Sequence, residues 1–268
     1  MIRCLLLASF AAAALSVPAP ASAAEDEPVI REIDVRPAAP VVGAEDSVRL
    51  VIDVVARGVS GRHGVVVEVE PGAPPGPVLD SRRPVRPPAA DEREEGRFPQ
   101  EGPGEPKSSG SIAATMASRL VTDGWQTWRF LPDKRLNRFY PAGAWTVTVT
   151  ARGEGGAERT AYASFQLRRE TRLAAVKAER DGAGVRVSGR LKRLDPRGYA
   201  GFLPFREQRV EILWRRDASD GWERAAEAVT DGQGGFSRIV PGREGGEWRV
   251  RYPGNGQQAE DDSKIHQL

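Results

Sequence analysis

Two histidines, one cysteine and two methionines in 268 residues leave little material for metal ligation or nucleophilic catalysis. His63 stands in the turn Gly61-Arg62-His63-Gly64 and His266 near the C-terminus; neither has a second ligand at metal-binding spacing, and both read as solvated loop residues. A zinc protease needs His-Glu-x-x-His on a helix and a serine hydrolase needs Gly-x-Ser-x-Gly on a strand-to-helix turn. The chain contains neither sequence. Gly254-Asn255-Gly256-Gln257-Gln258-Ala259 satisfies the letters of a dinucleotide fingerprint. That fingerprint has to open a helix inside a strand-helix-strand unit, and too little chain follows it to build one. Paired carboxylates for glycoside hydrolysis are defined by a separation in space of roughly 5–9.5 Å. The 37 acidic residues are more simply read as charged positions on solvated strand faces. The expectation is a non-enzymatic protein with no catalytic residue, no cofactor and no metal ligand.

Aromatic side chains are the remaining binding chemistry. Trp125 and Trp128 have opposite parity in a strand, so one ring faces the core and the other faces out. An exposed indole can stack on a sugar ring or fill a partner's pocket. The competing reading places Trp128 and Phe130 beneath a neighbouring insertion or at a domain junction. Trp222 follows the loop from Arg216 to Gly221 and fits either setting, whereas Trp145, Trp214 and Trp248 alternate with polar neighbours and are expected in the core. The candidate binding residues are therefore Trp125, Trp128 and Trp222. The formal net charge of +2 argues against nucleic acid as a partner.

The elements that would position these side chains are strands. From Pro28 onward short apolar-polar alternations are separated by turn clusters, and no segment holds a helical apolar period over three turns. Val48, Leu50, Ile52 and Val54 share one strand face; Trp145, Val147 and Val149 alternate with three threonines; Ala161, Ala163, Phe165 and Leu167 point inward from the next strand. Val185, Val187 and Leu191, then Val210, Ile212 and Trp214, then Trp248, Val250 and Tyr252 repeat the pattern. Ten of the 21 prolines fall in residues 71–106, a density that no strand survives.

The predicted class is all-β: two tandem immunoglobulin-like antiparallel β-sandwiches, at 28–169 (with a Pro-rich insertion at 71–106) and 170–255, followed by a polar tail at 256–268. The passage from Gln166-Leu167-Arg168-Arg169 into Thr171-Arg172-Leu173 has no flexible spacer, which predicts a stiff end-to-end pair. Residues 1–23 read as a signal peptide: Arg3, an apolar run from Leu5 to Val17 too short to span a bilayer, and Ala21-Ser22-Ala23 before the cut. No membrane span is expected in the mature chain. Cys4 lies within the removed segment, so the mature fold has no disulfide and depends on packing.

Phe139-Tyr140-Pro141-Ala142-Gly143-Ala144-Trp145-Thr146-Val147, the stretch from Phe165 to Leu173, Val187-Ser188-Gly189-Arg190-Leu191, Tyr199-Ala200-Gly201, Val210-Glu211-Ile212, Trp222, Thr230-Asp231-Gly232 with Gly235-Phe236, and Trp248 to Asn255 resemble, in order and spacing, secreted two-domain immunoglobulin-like proteins of high-GC Gram-positive bacteria. The resemblance covers about residues 124–255. Members are often labelled calcium-binding, but an EF-hand loop started at Asp231 puts Phe236 at the glycine position, and one started at Asp217 puts Trp222 there. No metal residue is carried over. The functional expectation is a secreted or envelope-associated binding or spacer module whose partner is an extracellular protein or glycan. The alternative is a carbohydrate-binding or enzyme-accessory module that uses exposed aromatics.

Overall fold

The computed structural model describes residues 27–79, 111–243 and 245–268. The predicted signal peptide, residues 1–23, and residues 80–106 of the predicted Pro-rich insertion lie outside the described residues. The described secondary structure is almost entirely strand, and among the described residues no helix is long and apolar enough to cross a membrane.

The first sandwich comprises β1 (Val29–Arg36), β2 (Val41–Val42), β3 (Val51–Arg57), β4 (Val65–Pro71), β5 (Ile112–Thr122), β6 (Trp125–Pro132), β7 (Gly143–Arg152) and β8 (Glu158–Arg169). One sheet runs β1-β3-β6-β5 and the other β4-β7-β8-β2, and β5 touches both by pairing β4 at Ile112 and Ala113 before it turns onto β6. In immunoglobulin terms the sheets read A-B-E-D and C-F-G, with the short β2 added in parallel beside β8. Trp128, Trp145, Leu50, Ile52, Val147 and Leu167 are fully buried between them. Trp145 stacks on Phe165 at 6.0 Å, and its indole N–H donates to the Pro141 carbonyl at 2.9 Å, so the buried donor keeps a partner.

The second sandwich comprises β9 (Thr171–Asp181), β10 (Gly184–Leu194), β11 (Phe202–Pro204), β12 (Arg209–Arg215), β13 (Glu223–Val229), β14 (Gly235–Pro241), β15 (Glu247–Tyr252), β16 (Asp261–Asp262) and β17 (His266–Gln267). β10 lies between β9 and β14 in one sheet; β13-β12-β15 form the other, with β16 and β17 along β15. Val185, Val187, Leu191, Val210, Ile212, Phe236, Trp248 and Val250 fill the space between the sheets.

Several expectations need correction. Residues 256–268 are not a free polar tail: Asp261 and Asp262 pair with Tyr252 and Arg251, and His266 pairs with Trp248. The edge of β15 offers unpaired backbone groups, and these residues satisfy them despite their polar composition. His266 is consequently a strand residue. The start of the Pro-rich segment belongs to the first sandwich, because Pro71 ends β4, Gly72 N–H donates to the Ala144 carbonyl, and Leu79 N–H donates to the Tyr162 carbonyl. Trp214 is only half-buried; it lies at the end of β12, where its N–H reaches the Gly245 carbonyl at 2.8 Å.

Candidate functional site

The three tryptophans singled out from sequence are not brought together. Trp128 is fully buried in the first core and is thereby removed as a surface platform; parity put one member of its pair inward, and the apolar face Trp128, Phe130, Pro132 decided which. Arg119 lies over its ring at 4.6 Å. Trp125 stands on the outer face of the same sheet, flanked by Arg31 at 4.4 Å and Arg57 at 5.2 Å. Trp222 stands on the second sandwich, flanked by Arg215 at 4.5 Å and Arg249 at 4.6 Å. Each guanidinium gains from the ring quadrupole, so both indoles are already occupied by cations. Farther along the same strand pair, Asp53 accepts two bonds from Arg129, at 2.8 and 3.0 Å, and a further one from Arg36; the hydrogen bond to Asp53 raises the Arg129 pKa.

The densest polar constellation lies between the sandwiches, and it begins with a connector one residue long. Glu170 N–H donates to the Val42 carbonyl of the first sandwich at 3.0 Å, and its own carbonyl accepts from Leu194 N–H of the second at 3.1 Å. Arg169 N–H donates to the Gln257 carbonyl and its carbonyl accepts from Ala259 N–H, while its guanidinium reaches the carbonyls of Arg138 and Tyr140. Burial, then the nearby Arg193, lowers the Arg169 pKa. Arg138, itself buried, extends from the β6–β7 loop into the second sandwich and donates to the carbonyls of Ala200 at 3.1 Å and Asp195 at 3.5 Å, and also to Ala44.

Asp195 organises the loop that receives Arg138. Its carboxylate accepts from Ala200 N–H at 2.9 Å and Arg197 N–H at 3.0 Å, which holds its pKa below the ordinary aspartate value. Leu194 and Phe202, from the second sandwich, pack on the core of the first. The acceptors that clasp the junction from the other side come from residues 257–261: Thr171 Oγ1 donates to the Ala259 carbonyl at 2.9 Å, and the Asp261 carboxylate accepts from Leu173 N–H at 2.6 Å.

This junction displays the most exposed aromatic side chain of the described residues, Tyr199, at 89% exposure, on the loop fixed by Asp195. Phe139, next to Arg138, is 45% exposed, and its ring lies close enough to Gly198 that a Cβ there would approach it to 3.2 Å. A search centred on tryptophan passes over both residues. The signal in the sequence is an aromatic residue inside turn chemistry, in Arg197-Gly198-Tyr199-Ala200-Gly201 and Asn137-Arg138-Phe139.

The two aspartates weighed as calcium ligands are engaged in their own turns. Asp231 Oδ1 accepts from Gln233 N–H and Gly235 N–H, each at 2.8 Å, and Asp217 Oδ1 accepts from the N–H and hydroxyl of Ser219. Among the described residues no three His, Cys, Asp or Glu side chains are grouped to hold a metal ion.

No family model matches the chain, and no curated protein matches it. Among solved structures the chain is similar to a tetra-tandem repeat from the extending region of a large adhesion protein, at 13% identity and a TM-score of 0.28 over 88% of this chain and 48% of that one. It is similar to dimeric latent PorU from Porphyromonas gingivalis, at 10% identity and a TM-score of 0.25 over 90% and 20% of the two chains. It is also similar to the partial N-terminal region of an enterococcal surface protein, at 8% identity and a TM-score of 0.19 over 82% and 89%. The chain thus spans about half the length of the first and a fifth of the second.

Proposed function

We propose that the protein is a non-enzymatic module exported from the cytoplasm, a member of the secreted two-domain immunoglobulin-like group it resembles, which acts outside the cell or at the envelope as a stiff spacer that presents a binding surface. The observation that carries this reading is the junction. A single-residue connector is bonded on both sides, Arg138 crosses into the second sandwich, and Leu194 and Phe202 pack on the core of the first. Independent binding domains joined for avidity would be expected to have a flexible linker, whereas a rod that sets distance or orientation needs contacts of this kind. Phe139 and Tyr199 then form the presenting surface, since aromatic anchors on a rigid support lose little entropy on binding.

The test uses two introduced cysteines in the otherwise cysteine-free mature chain, His63→Cys in the first sandwich and Ala183→Cys in the second, each spin-labelled. Pulsed dipolar spectroscopy should give one narrow distance distribution, and Arg138→Ala should broaden it. A broad distribution in the unmutated junction would defeat the spacer reading. The glycan alternative moves, on the exposure of Tyr199, from the tryptophans to the junction: co-sedimentation with chitin, cellulose or peptidoglycan that is lost in Tyr199→Ala would favour it.

A further inference from the structure

The outer faces of the two sheets of the second sandwich carry their charge differently. On the inner strands β12 and β15, Arg215 pairs with Glu247 at 2.6 Å, Arg249 with Asp262 at 3.5 Å and Arg251 with Glu260 at 2.9 Å. In the opposite sheet β10 is the inner strand, between β9 and β14, and its buried Val185, Val187 and Leu191 put Arg186, Ser188, Arg190 and Lys192 on the outer face. Arg186 is paired with Asp181, whereas Arg190 and Lys192 have no carboxylate partner among the described residues. Neighbouring strands add to the charge: Arg172 lies directly across from Lys192, and Lys177 across from Ser188. Arg172 is bonded to Glu170 at 2.9 Å, and Lys177 comes no nearer than 3.9 Å to Glu179. Like charges opposite one another destabilise a sheet. Defence of a sheet edge does not account for Arg190 and Lys192, because β10 is not an edge.

Beside these cations the face is hollowed. Opposite Ser188 and Arg190, β9 carries one extra residue between Lys177 and Ala174, and Ala175 adopts a φ of 49°. Such a bulge bends its strand. The small residues Ala175, Ser188, Gly235 and Ser237, together with Lys177 and Arg190, line an open depression of about 670 Å³. Asp231, the acid of the lining, is turned into its own loop by the N–H groups of Gln233 and Gly235. Phe236, the ring of the lining, is buried, so the depression offers no stacking platform to a base or a sugar ring.

We propose that this face binds a linear polyol phosphate, a phosphodiester polymer without rings. One phosphate is held by Lys177, Arg190 and the hydroxyls of Ser188 and Ser237, and the next by Lys192 and Arg172. The unpaired cations select an anion, and the arginine fork and hydroxyl donors suit the two free oxygens of a phosphodiester. Spacing selects the repeat. Arg190 and Lys192 stand about 6.8 Å apart along the strand, a span of six backbone bonds, and a glycerol phosphate repeat also has six. Nucleic acid shares that repeat, but single strands are held largely by stacking of their bases, for which no platform is present. The site lies apart from Phe139 and Tyr199 and gives the exported module a second surface.

Calorimetric titration of the mature full-length chain with short synthetic poly(glycerol phosphate) should show saturable binding that weakens at least about tenfold between about 50 and 200 mM salt. Arg190→Gln and Lys192→Gln should each weaken it at least about fivefold, and the double variant at least about twentyfold. Arg186→Gln, which removes a paired cation from the same strand, should stay within about twofold of the unmutated chain. Without polymer, Arg190→Gln should leave the thermal midpoint unchanged or raise it at low salt, because it relieves repulsion. Oligothymidylate and hyaluronate of matched charge should bind at least about tenfold more weakly. Absence of binding to poly(glycerol phosphate) overturns the proposal. So does equal affinity for the other two polyanions, an equal loss in Arg186→Gln, or a lower midpoint in Arg190→Gln, which would make Arg190 a structural cation. A broad spin-label distance distribution would defeat the spacer reading and leave this binding result standing.

Discussion

Arg138 concentrates the junction in one side chain, and its planar fork is what allows it to reach carbonyls on both sandwiches. Arg138→Ala leaves Ala200 and Ala44 without that donor, so it should lower unfolding free energy by about 1–3 kcal/mol in denaturant titration. Arg138→Lys should recover less than half of the loss, because an ammonium cannot span the same set. Two aspartates at the junction titrate in opposite senses. The N–H groups of Ala200 and Arg197 depress the Asp195 pKa, so its contribution is present above the unfolded aspartate pKa and is lost as pH falls through its lower folded value. Burial raises the Asp261 pKa, so its contribution is present at acid pH and is lost as pH rises through its folded value. Asp195→Asn should therefore flatten the acid limb of the midpoint-versus-pH curve. Asp261→Asn, which keeps an acceptor for Leu173 N–H, should raise the midpoint at neutral pH. The opposite signs would show that other groups control acid stability.

At the scale of elements, the C-terminal residues and Gly189 of β10 carry the sharpest expectations. Ending the chain at Pro253 removes β16, β17 and the bonds from residues 257–261 to Arg169, Thr171 and Leu173. Four hydrogen bonds of about 0.5–1.5 kcal/mol each put the loss at roughly 2–6 kcal/mol, measurable as a lower denaturant midpoint. A free tail would give no change. Gly189 lies on β10 facing the core, where a Cβ would come within 2.7 Å of the Phe236 ring and 2.9 Å of Val176. Gly189→Ala should destabilise by about 1–3 kcal/mol through overpacking, seen as a lower thermal midpoint. Spacing revealed that β10 alternates, but not that Gly189 leaves no room for a side chain between Phe236 and Val176.

For the whole molecule, the two sandwiches are separate in topology but not in packing. Leu194 is 1% exposed and belongs to the first core although it lies on a strand of the second sandwich. Residues 171–268 expressed alone should unfold cooperatively, because Val187, Ile212, Trp248 and their neighbours form a complete core. The midpoint should fall below that of the same segment in the full chain. Leu194→Gln should then be nearly neutral in the isolated segment and cost about 2–5 kcal/mol in the full chain, where it replaces a buried side chain. An equal cost in both contexts would contradict the shared core.

The strand class and the inward faces were legible because a strand's period of two is written directly into residues such as Trp145, Val147 and Val149 or Trp248, Val250 and Tyr252. The direct passage from β8 to β9 was equally legible, since strand-like sequence runs through Glu170 without turn residues. Parity showed that Trp125 and Trp128 point to opposite faces; which face is covered depends on where the second sheet lies, and only packing decides that. The pairing of residues 256–268 with β15, the reach of Arg138 to Ala200 and the exposure of Tyr199 depend on contacts between residues far apart in the chain. Local alternation carries no record of such contacts, because a polar residue on a closing edge strand and one in a free tail look alike until the backbone groups they satisfy are brought beside them.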